Sequence, residues 1–254
     1  MTIRIVVTAL SALLLATAAH AAEIRVLSTQ AVEGAYRELV VQFEKASGHK
    51  VTTIITGTLD AQKRIASGES YDLIIMASSA IDDLIKSGKV MPGSRVDLAS
   101  SGVGVAVRAG APRPDIHSTE AFKKTLLAAK SIGYSSGPSG VYVTGLFRRL
   151  GIADQIKSKL KQTETGVFVG SIIASGDVEI GFQQVSELAH YPGIDYIGPL
   201  PADIQTVTVF SSGMQVGAKA IDAAKALTTF LTSPAAATVF KSKSMEPVAV
   251  RRPT

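Results

Sequence analysis

Three stretches of this 254-residue chain put hydroxyl and glycine residues where an apolar run gives way to a helical pattern. Val26-Leu27-Ser28-Thr29-Gln30-Ala31 leads into residues 34–44. Ile54-Ile55-Thr56-Gly57-Thr58 leads into residues 60–67. Tyr134-Ser135-Ser136-Gly137-Pro138-Ser139-Gly140 leads into residues 141–150. The first turn of a helix has backbone N–H groups without intrahelical partners and carries a partial positive charge. Three such starts, each with spare hydroxyls, could together hold a small anion without a metal and without a dedicated Arg. Ser28, Thr29, Gln30, Ala31, Thr56, Gly57, Thr58, Ser136, Ser139 and Gly140 form the candidate binding set on this reading.

The elements that must position these residues alternate between strand and helix. Strands are expected at 24–28, 51–56, 73–77, 103–108, 131–134, 179–183, 196–198 and 206–211. Helices are expected at 32–47, 59–67, 80–87, 119–129, 141–150, 153–157, 168–175, 218–231 and 234–242. In the first helix Ala35, Leu39 and Phe43 recur at helical spacing. Strands interleaved with helices argue for an α/β fold with mixed, mainly parallel sheets. Residues 101–107 and 206–211, β-branched or small throughout, read either as crossings between two lobes or as central strands of one sheet. Pro112, Pro114, Pro199 and Pro201 mark loops beside them.

Composition removes several function classes. With no Cys, disulfides, thiolate metal sites and Cys nucleophiles are absent. Four His, far apart in sequence, give no metal-ligand spacing, and no cofactor is expected. The net charge is +5, but the basic residues are scattered and there is no Trp, so nucleic-acid binding is not expected. Gly102-x-Gly104 lacks the rest of a dinucleotide fingerprint. Ser136-Gly137-Pro138-Ser139-Gly140 resembles a nucleophile elbow in form but lacks Asp and His partners. Arg4, the apolar run of residues 5–16 and Ala19-His20-Ala21 fit an export signal over residues 1–21. That run is shorter than the ~20 residues of a membrane span. The mature chain is expected in the periplasm, not embedded in the membrane, as a monomer.

In their order, the motifs resemble those of periplasmic solute-binding proteins of type II fold, above all the molybdate-binding group. The resemblance rests on residues 23–32, on Gly68-Glu69-Ser70-Tyr71-Asp72-Leu73-Ile74-Ile75, on Pro138-Ser139-Gly140-Val141-Tyr142 and on Ala174-Ser175-Gly176-Asp177-Val178-Glu179-Ile180-Gly181. It implies two α/β lobes joined by two crossing strands: residues 22–103 with 207–254, and residues 104–206. It also implies a ligand in the cleft between them, closure on binding, and an ABC permease as partner. Thr58 falls at the family's hydroxyl contact, Ser139 at its backbone contact, and Gly166 near another.

Two positions depart from the group. Ala31 stands for the first-loop serine, and Gln184, in the pair Gln183-Gln184, stands for the cleft tyrosine. An amide offers a donor and an acceptor. A fully deprotonated oxyanion has little use for an acceptor, so the pair points to a larger organic anion, such as a polycarboxylate. The alternative is a Gln pair without ligand contact, since one of two adjacent strand residues faces away. The same group holds exported chains resembling aconitate isomerases, which move a proton between carbons of a tricarboxylate. Such chemistry needs an acid–base group near the allylic carbon. Glu187 and Tyr142 are candidates; the dull alternatives are a solvated Glu and a packed Tyr.

Overall fold

The computed structural model describes residues 21–248, and the expected export signal lies outside them except for Ala21. The first lobe opens with β1 (Glu23–Thr29), α1 (Glu33–Ser47), β2 (Lys50–Thr56), α2 (Thr58–Ala66), β3 (Leu73–Ala77) and α3 (Ser78–Lys86). β4 (Val96–Arg108) carries the chain into the second lobe. There follow α4 (Thr119–Ala128), β5 (Ile132–Tyr134), α5 (Pro138–Arg149), α6 (Ala153–Ile156), β6 (Leu160–Gln162), α7 (Val169–Ala174), β7 (Ile180–Gln184), α8 (Val185–Leu188) and β8 (Ile194–Pro199). β9 (Val207–Met214) returns the chain, and α9 (Ile221–Leu231), α10 (Pro234–Ser242) and β10 (Glu246–Pro247) complete the first lobe.

The strand order is β2-β1-β3-β9-β4-β7-β5-β6, with β8 and β10 also paired to β4. β2-β1-β3 and β7-β5-β6 are parallel. The crossing strands β4 and β9 run antiparallel to their neighbours. β4 changes partner midway: residues through Gly102 pair with β9, and residues from Val103 onward pair with β7.

Side-chain alternation divides each sheet between two packed layers. All five residues of β3 are buried, as a strand covered on both faces requires. Leu73 and Ile75 join α1, α9 and α10 in one core, while Ile74 and Met76 pack with α2 and α3 in another. In the second lobe Val103, Val105 and Val107 face Phe122, Phe147 and Phe182, and Ala106 faces Val169 and Ile173 on the other side.

The Gly68 to Asp72 segment has a structural explanation. Gly68 follows α2 with φ +90°, a left-handed conformation open to glycine. Asp72 accepts hydrogen bonds from the N–H groups of Arg25, Lys219 and Ala220 at 2.8–2.9 Å. Burial acts to raise its pKa, but those donors hold the carboxyl below its usual value.

Candidate functional site

The three junctions meet. A cavity of about 40 Å³ lies where the lobes face each other, walled by residues 29–31, 57–58, 135–139, 166–167, 183–184, Glu187 and Phe210. The local sequence explains why its walls are donors. α2 begins after Gly57 and α5 after Gly137, and neither start is capped by a side chain. Their first-turn N–H groups are therefore left for a guest. Pro138 occupies the first position of α5, where its missing N–H is no loss. Helix α5 thus starts three residues earlier than the sequence pattern predicts.

The hydroxyls divide into free and committed. Thr29 is 4% exposed, and its Oγ1 has no hydrogen-bond partner. A buried orphan hydroxyl in an anion cavity is a group waiting for an acceptor. Ser139 and Ser135 share a hydrogen bond of 2.9 Å, and Gly137 N–H donates to Ser135 Oγ. Thr58 stands at the first position of α2, and Ser136 is close to Thr165 across the loop.

The lobes are closed over this cavity. Gln30 Nε2 donates to the Gly166 carbonyl at 2.8 Å, and Ser186 Oγ donates to the Ala31 carbonyl at 2.7 Å. A Cβ at Gly57 would lie 2.7 Å from the Gly166 nitrogen, so closure at this point requires glycine.

Of the expected binding residues, Thr29, Gln30, Ala31, Gly57, Thr58, Ser136, Ser139, Gly166, Gln183 and Gln184 line the cavity. Ser28, Thr56 and Gly140 do not. Ser28 lies on the next strand position and bonds the Thr29 carbonyl. Thr56 Oγ1 donates to Asp60 Oδ2 at 2.8 Å. Gly140 sits behind the loop, where a Cβ would fall 1.6 Å from the Ser135 carbonyl oxygen. Its role is to let α5 close on that loop, not to touch a guest.

The Gln pair differs in role from the expectation that its amides read the ligand. Both residues line the cavity because Gln184 ends β7 and caps α8, so the alternation stops there. Their amides are already engaged. Gln183 Oε1 accepts from Val169 N–H at 2.7 Å, and its Nε2 donates to Glu187 Oε1 at 2.8 Å. The Gln184 amide satisfies its neighbours with its nitrogen toward the Ser101 and Gly102 carbonyls and its oxygen toward the Thr208 hydroxyl. It ties the end of β7 to both crossing strands.

Glu187 is the ionisable group in this wall. It is the third residue of α8 after Gln184, the spacing at which a Glu side chain reaches back to the N-cap backbone. Burial pushes its carboxyl up to about 8, against the pull of the Gln184 backbone and the Gln183 amide, while Glu33 on α1 adds to the rise. No Lys or Arg lines the cavity among the described residues. Tyr142 is placed elsewhere: its hydroxyl donates to the Ile204 carbonyl at 2.7 Å, and Arg149 stacks over its ring. It borders a groove of about 420 Å³ that shares Thr58, Ser136, Gly137 and Pro138 with the cavity.

No group of three His, Asp or Glu side chains is arranged to hold a metal among the described residues. No helix among them is long and apolar enough to cross a membrane. The arrangement can enclose an anion with N–H and O–H donors while a carboxyl stands ready to exchange a proton.

Known proteins are similar to this chain. An aconitate isomerase of a Pseudomonas species is 38% identical over 251 residues, covering 94% of this chain and 95% of its own. The molybdate-binding protein of Azotobacter vinelandii is 30% identical over 246 residues, covering 93% and 94%. The solved structure of an Azotobacter vinelandii periplasmic molybdate-binding protein superposes with a TM-score of 0.74 at 21% identity, covering 90% of this chain and all of that one. The family model of bacterial extracellular solute-binding proteins matches residues 24–246, and the chain belongs to that family.

Proposed function

We propose that this solute-binding chain is a periplasmic isomerase of the aconitate type, acting on an unsaturated tricarboxylate in the interlobe cavity. The observation that carries the reading is Glu187: a carboxyl in the wall of an anion cavity, with its pKa lifted by burial to about 8. A receptor for a dianionic oxyanion has no need of a titratable carboxyl there, which repels the guest whenever it is ionised. A carbon-proton transfer needs such a group, poised near neutral pH.

The step balances without a cofactor. Ionised Glu187 takes a proton from the methylene carbon, and the C–H electron pair becomes the new double bond. The electrons of the old double bond take up a proton at the far carbon, and the protonated Glu187 is the acid at hand. The uncapped starts of α2 and α5, with Thr29, Thr58 and Ser139, hold the substrate carboxylates. The cavity alone has room for about three waters, so the neighbouring groove supplies the remaining volume and the way in.

A second reading is a receptor that captures an organic polycarboxylate and hands it to an ABC permease. The lobe-bridging bonds of Gln30 and Ser186 support it, because enclosing the ligand between two lobes is what capture requires. The purified mature protein, mixed with cis-aconitate and followed by proton NMR, separates the two. Accumulation of trans-aconitate supports the isomerase; a thermal shift with no conversion supports the receptor.

A further inference from the structure

Gln183 carries an oriented amide that anion capture does not use. Its side chain is 2% exposed, on β7 between β4 and β5. The Val169 N–H at the start of α7 donates to Oε1 at 2.7 Å, which fixes which end of the amide is which. Nε2 is thereby aimed at Glu187 Oε1, 2.8 Å away. We propose that Gln183 is a positioning residue that holds one oxygen of Glu187 with a fixed N–H donor, favours the ionised form that acts as base, and leaves its other oxygen for the substrate carbon. The inference rests on the isomerase reading and assigns Gln183 a role other than ligand contact.

The physical argument is a contest between burial and donors. Taking a carboxylate out of water disfavours its charged form, and each N–H aimed at it restores part of that loss. Leu or Met would fill the same space without a donor, and the ionised fraction of Glu187 available as base at neutral pH would fall further. Glu33, paired with Arg37, is the charged group acting on Glu187 from across the cleft. α7, β7 and the turn Gln30–Val32 carry no titratable side chain. β8 offers Tyr196, whose phenol burial keeps neutral, and Asp195 further along. On β4, Asp97 is engaged by Arg95 and Ser211, and Arg108 lies at the far end. His190, just past α8, contacts Ser244. Gln183 is therefore the side-chain donor that, together with the Gln184 backbone, offsets burial at Glu187.

The test is a pair of variants. Gln183→Leu removes the donor. Gln183→Glu keeps an acceptor for Val169 N–H but makes the two carboxyls share a proton, so it guards against loss of fold in the first. In both, the acidic limb of the kcat/KM profile for aconitate moves up by about one pH unit or more, KM changes little, and kcat recovers at higher pH. The carboxyl-carbon NMR titration of Glu187, assigned through Glu187→Gln, moves the same way and does not depend on turnover. Folded variants whose acidic limb and Glu187 titration both match wild type overturn the proposal. A wild-type protein that converts no aconitate, with the titration still displaced in the variants, overturns the isomerase reading and keeps the positioning role.

Discussion

At the residue scale, the site works by leaving hydrogen-bonding capacity unspent. Thr29 Oγ1 is buried without a partner, and an unmet hydroxyl of this kind costs about 1–3 kcal/mol. Thr29→Val should therefore leave the ligand-free protein as stable as wild type or more so. The same change should weaken anion binding about tenfold, the loss of one charge-assisted hydrogen bond. Thr58→Val should likewise weaken binding with little change in melting temperature. Isothermal titration with trans-aconitate, alongside urea unfolding of the free protein, checks both. Unchanged affinity removes the residue from the site. The hydroxyl-rich junctions were legible in the sequence because their residue types follow from helix-start chemistry. Which hydroxyl faces the guest was not, because that depends on strand parity: Thr29 points in while Ser28, its neighbour, donates to the Thr29 carbonyl. Gln183 and Gln184 were legible as an unusual pair. Their partners, Glu187 and the crossing strands, come from tertiary packing.

At the element scale, two helix starts and one single-turn helix are brought to a common point by the ends of parallel strands. The sequence periodicity located these elements well where apolar runs are unbroken: Leu73–Ala77 and Pro234–Ser242 stand where the pattern puts them. It missed the first half of β4, where Asp97, Ser100 and Ser101 interrupt the apolar run and the register shifts between Asp97 and Ala99. It also missed β6, a three-residue strand of Leu-Lys-Gln whose place is set by its neighbour β5 alone. Closure between elements turns on Gly57. Its backbone is not strained at φ −78°, so Ala fits α2 itself and clashes only with Gly166 in the closed state. Gly57→Ala should keep the melting temperature of the ligand-free protein within a few degrees and weaken aconitate binding about tenfold or more. X-ray scattering should then show less compaction on ligand addition than in wild type. Full compaction and full affinity would mean that the Gly57–Gly166 contact does not limit closure.

At the scale of the whole molecule, we propose that residues 22–103 move with 207–248, the last of the described residues, as one lobe and residues 104–206 as the other. The change of β4 partner at Gly102 and Val103 supports this division, as does the clamp of Gln205, which both donates to and accepts from the Val103 backbone. The raised pKa of Glu187 links folding to pH. Its folded value is about 8, above the ordinary carboxyl value of 4.5, so the folded state binds the extra proton between those limits. That group's contribution to stability is fully present below about pH 4.5 and is lost as pH rises toward 8, by at most about 1.4 kcal/mol per pH unit. Urea unfolding at pH 5 to 8 should show wild type losing stability relative to Glu187→Gln over that window; parallel curves would mean that Glu187 ionises normally in the folded protein. The sequence carried the lobed architecture, since four motifs in order define it. Catalysis was less legible, because a lone Glu reads as a solvated residue until its place in the wall of a cavity is known.

The account stands or falls on whether Glu187 moves a proton while other groups hold the guest. Calorimetric binding of trans-aconitate and NMR-monitored conversion of cis-aconitate, run side by side on wild type and Glu187→Gln, measure the two roles separately. The expected result is binding within a few-fold of wild type and turnover lower by about 10²–10⁴-fold in the variant. A Glu187→Gln protein that isomerises aconitate at the wild-type rate would contradict it.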